Sequence, residues 1–264
     1  MKGLLKTLAA ALIALTAVGL DLNAMNVQIR EGRPIVDGVY IDGHGPYRFM
    51  IDTGATLNHI DTRLAKSLGL KETFRTMLTS STGRIDASGG KGISVTLGSA
   101  RAEDQTFLFA GLDVVQQTWF DVQGILGQQF LSQFDYLLDM HRKQLEFGPH
   151  EVGAQSIRTE FKLDNGRPVV STSLGWLVLD SGSPRLTRFG IKGTIGSLAM
   201  RTMSSTMALG TIDSTLSIDG RAFWRGEAMA VPQSPESGVD GLLPTSVFKT
   251  VYVCNSGRFV AFEF

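Results

Sequence analysis

Only one cysteine, Cys254, occurs in the 264 residues, so no disulfide can close within the chain and no cysteine-based zinc site can form. Stability must come from packing. Excess charge is missing as well: 25 Lys and Arg balance 25 Asp and Glu, for a formal net charge of zero. Without a basic stripe, nucleic acid is not an expected partner. Charged residues make up 19% against about 25% in ordinary soluble domains, and the 43% hydrophobic fraction argues for a folded chain with a sizeable core rather than a disordered one. There are four histidines and no His-Glu-x-x-His pattern, and scattered acids such as Asp61, Asp86 and Asp104 read as solvated surface, so no metal site is expected. Ser88-Gly89-Gly90-Lys91-Gly92 lacks the hydroxyl residue that follows the lysine of a phosphate loop and reads as a turn; no cofactor is expected.

Long apolar runs are absent apart from Leu8 to Leu20, preceded by Lys2 and Lys6 and followed by the small residue Ala24. That order is the order of a secretory signal, and as a helix the run would span about 20 Å, short of the ~30 Å hydrocarbon core. Residues 1–24 are therefore expected to be a signal peptide, or an N-terminal anchor if retained, and the protein to be exported, periplasmic or extracellular. No stable membrane partner is expected once that segment is cleaved.

What the chain does have is glycine, 30 residues of it, with Val, Ile, Thr and Phe spread evenly, which predicts short strands and tight turns in a mostly β protein. It also reads as written twice. Gly32-Arg33-Pro34-Ile35-Val36 recurs as Gly166-Arg167-Pro168-Val169-Val170, each opening a strand-like run. Phe49-Met50-Ile51-Asp52-Thr53-Gly54-Ala55 recurs as Leu177-Val178-Leu179-Asp180-Ser181-Gly182-Ser183. Arg75-Thr76-Met77 pairs with Arg201-Thr202-Met203, Gly83-Arg84-Ile85-Asp86 with Gly210-Thr211-Ile212-Asp213, and Gly124-Ile125-Leu126-Gly127 with Gly241-Leu242-Leu243-Pro244. Five matches in one order at similar separations predict two similar lobes, residues 25–149 and 160–264, joined by a linker over 150–159. The one longer helix expected lies in the first lobe, with Asp61 as cap, Leu64, Ala65 and Leu68 on one face, and Gly69 as terminator. Arg185 to Leu198, rich in glycine, is expected to be loop or irregular strand.

An Asp-hydroxyl-Gly turn at the end of an apolar strand in each of two pseudo-symmetric lobes would bring Asp52 and Asp180 together on the cleft floor. Like charges at hydrogen-bond distance cannot both ionise, so such a pair holds one proton and offers a base and an acid side by side. That suffices to hydrolyse a carbonyl compound with no metal, nucleophilic side chain or cofactor. Taken singly, each aspartate would more simply cap its own turn; the repeat favours catalysis.

Met50-Ile51-Asp52-Thr53-Gly54-Ala55-Thr56, the helix end Leu68-Gly69-Leu70, and Gly124-Ile125-Leu126-Gly127-Gln128-Gln129-Phe130-Leu131 resemble the retropepsin-like and pepsin-like aspartic proteases. The resemblance implies an all-β fold of two pseudo-symmetric, closed-barrel-like lobes with few short helices, in the duplicated single-chain form. It implies catalysis by Asp52 and Asp180, with loop support from Thr53, Gly54, Ala55, Ser181, Gly182 and Ser183. By the same resemblance Thr53 and Ser181 cross-bond the two loops, Ile125, Leu126, Gly127, Leu242 and Leu243 pack behind them, and Phe130 and Phe134 match the following short helix. A flap is implied at Ser80, Ser81, Thr82 and Gly83, for which an ordinary exposed hairpin is the alternative. Pro184 and Pro244 depart from the pattern. The implied function is an aspartic endopeptidase that acts as a monomer on a polypeptide. The alternatives are a catalytically silent peptide-binding or structural module with the same fold, and a first lobe working in an intermolecular dimer. Leu179-Asp180-Ser181-Gly182-Ser183-Pro184 also resembles the nucleophile loop of trypsin-like serine proteases, but no histidine has that family's setting.

One asymmetry gives a sharper expectation. Position 55 is Ala and its counterpart is Ser183, whose hydroxyl could donate to Asp180 and make that residue the base.

Overall fold

The computed structural model describes residues 24–80, 83–112, 121–201, 206–232 and 238–264, with only the backbone described at 78–80, 83–85, 195–201 and 206–209. The expected signal segment, 1–24, lies outside these residues but for Ala24. Among the described residues no helix is long and apolar enough to cross a membrane.

The first half of the chain begins with β1 (Met25–Arg30), β2 (Arg33–Ile41), β3 (His44–Ile51) and β4 (Asn58–Asp61). Helix α1 (Thr62–Ser67) follows, then β5 (Phe74–Ser80), β6 (Gly83–Leu97), β7 (Ala100–Ala110) and β8 (Gly124–Leu126). It closes with α2 (Gln128–Leu131), β9 (Tyr136–Asp139) and β10 (Gln144–Phe147). The second half holds β11 (Ile157–Asp164), β12 (Arg167–Thr172), β13 (Gly175–Asp180), β14 (Thr187–Phe189) and β15 (Thr194–Arg201). After them come β16 (Thr206–Ile218), β17 (Arg221–Val231), β18 (Gly241–Pro244), a single 3-10 turn at Thr245–Val247, β19 (Thr250–Cys254) and β20 (Phe259–Glu263). The all-β expectation with few short helices holds.

Turn chemistry sets the hairpins. Glu31-Gly32, Asp42-Gly43, Asn165-Gly166 and Asp219-Gly220 all carry positive φ at both positions, the two-residue turn whose twist matches paired strands. Two of the four, Glu31-Gly32 and Asn165-Gly166, are the same turn in the two halves, joining β1 to β2 and β11 to β12. Helix α1 forms as expected: the Asp61 side chain accepts from the Arg63 N–H, a cap contributing about 1 kcal/mol, Leu64 and Ala65 are buried, and Gly69 follows with φ +67°. The second half has no helix there. Gly190 and Gly193 fall between the short β14 and β15, and Gly196 lies in β15 where its register shifts between Ile195 and Leu198, in keeping with the loop or irregular strand expected.

Strands β2, β3, β8, β4, β7 and β6 pair in that order, and a β2–β6 ladder closes the ring. In the second half β12, β13, β18, β14, β17 and β16 follow the same course. There β12 reaches β16 through the turn after it, where Ser173 and Ser217 exchange hydrogen bonds of 2.9 Å, rather than through a ladder. The halves share one further sheet, antiparallel throughout, in the order β1, β10, β9, β19, β20, β11. Its seam is β9 against β19, from Tyr136↔Val253 to Asp139↔Thr250. Phe49, Phe107, Phe130 and Phe262 are fully buried in the continuous core, each worth about 1.5–3 kcal/mol of transfer free energy. Cys254 is a buried free thiol in β19.

Candidate active site

Asp52 lies one residue past the end of β3, and Asp180 is the last residue of β13. Both strands are central, and the three residues before each aspartate, Phe49 to Ile51 and Leu177 to Leu179, are apolar and buried on both faces, the pattern of a strand covered above and below. Each runs parallel to the strand implied to lie behind it. Met50 pairs with Ile125 and Ile51 with Leu126, after which the Asp52 N–H donates to the Leu126 carbonyl at 2.9 Å. Val178 pairs with Leu242, Leu179 with Leu243 and Asp180 with Pro244. The repeat read in the sequence is thus a repeat of strand pairing.

The two loops interlock. The Thr53 hydroxyl donates to the Leu179 carbonyl at 2.7 Å and accepts from the Ser181 N–H at 2.9 Å. Reciprocally, the Ser181 hydroxyl donates to the Ile51 carbonyl at 2.7 Å and accepts from the Thr53 N–H at 3.0 Å. Both side chains are buried, so every donor and acceptor in the knot is satisfied without water. The cross-bonding that resemblance implied for Thr53 and Ser181 is present.

This interlock presses each loop's glycine against the other loop's aspartate. A Cβ on Gly54 would overlap the Asp180 carboxyl group, and one on Gly182 would overlap that of Asp52. The glycines therefore make room for the opposite carboxylates, not simply for a neighbouring strand. The carboxyl groups of Asp52 and Asp180 hydrogen-bond to one another. Asp52 also accepts from the Gly54 N–H at 2.9 Å, and Asp180 from the Ser183 N–H at 2.9 Å.

Burial raises both carboxyl groups above the usual carboxylate range. For Asp52 the rise is opposed by the Gly54 N–H, the bond to Asp180 and the positive charge of Arg33. Asp180 stands well above the usual value, because burial is reinforced by the negative charge of Asp52. One proton is therefore shared by the pair, of which Asp52 is the more solvent-accessible member. The hydroxyl bond on which the Ala55/Ser183 asymmetry would have made Asp180 the base is not formed. The Ser183 hydroxyl donates to the Arg185 carbonyl at 2.9 Å; only its backbone reaches Asp180.

Behind the first loop, α2 adds bonds that residue type alone did not reveal. The Gln128 side-chain amide donates to the Thr53 carbonyl and the Gln128 N–H to the Ala55 carbonyl, both at 2.8 Å. The Gly127 N–H donates to the buried Asn58 side chain at 3.0 Å. At the counterpart of Gly127, Pro244 has no N–H to give and opens a 3-10 turn instead. The parallel β13–β18 ladder nevertheless extends to Pro244 itself, so the departure does not prevent close packing of the strands.

Arg33 is the charged residue the sequence reading passed over, although Gly-Arg-Pro was its first repeat. Its Nε donates to the Gly182 carbonyl at 2.6 Å, and Nη1 lies 3.2 Å from the Glu31 carboxylate. Of the flap residues, Ser80 pairs with Gly83 at the end of the β5–β6 hairpin, and Ser81 and Thr82 lie outside the described residues. His59 lies within β4, buried, with Nδ1 unpartnered; burial lowers its pKa to about 4. Among the described residues no group of three or more His, Cys, Asp or Glu is placed to hold a metal ion.

Residues 38–130 match a family described as aspartyl protease, a span that takes in the Asp52 loop, the Ile125-Leu126-Gly127 strand and the start of α2. No curated protein matches the chain. The match supports an aspartic protease family and a hydrolase of that type, and the all-β ring of strands is the corresponding fold.

Proposed function

We propose that the protein is a single-chain aspartic endopeptidase that hydrolyses peptide bonds with a water activated by Asp52 and Asp180. The observation that carries this reading is the hydrogen-bonded carboxyl pair, held by reciprocal Thr53 and Ser181 bonds at the meeting of two like loops.

The ionised Asp52 takes a proton from the water as its oxygen attacks the scissile carbonyl carbon, and Asp180 gives its proton to the carbonyl oxygen. The neutral tetrahedral diol then collapses: Asp180 recovers a hydroxyl proton as the carbonyl re-forms, and Asp52 passes its proton to the leaving nitrogen. The pair ends as it began. The substrate is an extended polypeptide laid across the cleft, with backbone pairing as the main hold. The protein works as an exported monomer, periplasmic or extracellular.

Peptide cleavage between pH 3 and 7 tests this. Loss of activity in both Asp52→Asn and Asp180→Asn is the expected result. Sensitivity to Asp52→Asn alone would point to first-half dimers, and no cleavage by a folded chain to a silent module.

A further inference from the structure

Arg33 owes its position to the turn before it. The positive φ of Glu31 and Gly32 folds β1 back on β2 and makes Arg33 the first residue of β2, opposite Arg30. That turn lies against the second half of the chain: a Cβ on Gly32 would come 3.0 Å from the Ser246 hydroxyl. From there the guanidinium, with only 20% of its side chain exposed, reaches a carbonyl 149 residues further along, that of Gly182. Gly182 is the residue whose missing Cβ makes room for the Asp52 carboxyl group. One residue is therefore held by Arg33 at its carbonyl and by the dyad at its Cα.

A mostly buried cation needs anionic company. The charged groups around it include Glu31, 63% exposed, and the two aspartates. Arg185, on the second loop, is exposed and turns its carbonyl towards Ser183 and Thr187.

Resting on the aspartic endopeptidase reading, we propose that Arg33 is a positioning residue of the dyad, a strut from β2 that fixes the Gly182 carbonyl and holds a permanent positive charge against the Asp52–Asp180 pair. The charge favours the singly ionised pair over the fully protonated one. The protein thus keeps a working base to lower pH than burial alone would permit.

The test compares full-length wild type with Arg33→Gln, Arg33→Lys and Glu31→Gln, reading both the pH–rate profile and the 13C-carboxyl titration of the two aspartates, assigned with Asp52→Asn and Asp180→Asn. Arg33→Gln should move the acidic limb and the lower titration step upward by about one pH unit. Arg33→Lys keeps the charge and loses the planar, directed Nε bond, so its titration should stay near wild type while kcat falls. Glu31→Gln, an exposed change, removes the competing anion and should shift the titration downward. A titration unmoved by both Arg33→Gln and Glu31→Gln would overturn the proposal, and if Arg33→Gln fails to fold, Glu31→Gln alone decides. Absence of proteolysis in wild type would defeat the endopeptidase reading, yet the carboxyl titration would still report whether Arg33 acts on the pair.

Discussion

The Ser181 N–H donates to the Thr53 hydroxyl at 2.9 Å, and the Thr53 N–H donates to the Ser181 hydroxyl at 3.0 Å, a reciprocal exchange between residues 128 positions apart. Each hydroxyl also donates across the boundary to a strand carbonyl. Removing either hydroxyl strands a buried N–H and a buried carbonyl. Thr53→Val and Ser181→Ala should each cost about 1–3 kcal/mol in urea unfolding, and the double variant less than the sum, because the two share one network.

Gly54→Ala and Gly182→Ala should leave a folded protein with a displaced dyad. The added methyl meets the opposite carboxyl group, which must swing aside, and small misplacements of reacting groups cost on the order of 10²-fold in rate. The check is kcat against KM: the loss should fall on kcat, with circular dichroism unchanged.

Ser183→Ala separates the two possible roles of that hydroxyl. Because it bonds the Arg185 carbonyl and not Asp180, its removal should leave the acidic limb of the pH–rate profile in place and cost about 1 kcal/mol of stability. A limb moved upward would restore Asp180 as the base.

His59 makes the fold sensitive to acid. Its pKa of about 4 in the folded state lies below 6.5, so neutral His59 is favoured by folding; its contribution is complete above pH 6.5 and lost as pH falls through 4. About 3 kcal/mol should disappear across that window, and His59→Leu should flatten this part of the stability–pH curve. The measurement is urea unfolding at a series of pH values.

Much of the site was legible because duplication turns weak motifs into a pattern: Asp-Thr-Gly and Asp-Ser-Gly mean little singly, yet with Ile125-Leu126-Gly127 and Gly241-Leu242-Leu243 they located both loops and the strands beside them. Long-range bonds to backbone leave no such trace. Arg33 acts through its reach to Gly182, Gln128 through its reach to Thr53, and neither partner is suggested by residue type or spacing. Ser183 misled because a side chain can turn either way from one backbone position; here its own N–H already serves Asp180, and the hydroxyl satisfies the next carbonyl.

The β9–β19 seam has a consequence for the newborn chain. Strand β9 is complete at residue 139, but β19, which covers its open edge, does not begin until residue 250. At ~5–20 residues per second a ribosome needs on the order of ten seconds to supply it. For that interval the emerging polypeptide displays a bare apolar edge, Tyr136–Asp139, able to join any β-strand that reaches it, so slower translation of the last third should increase the dependence of yield on chaperones.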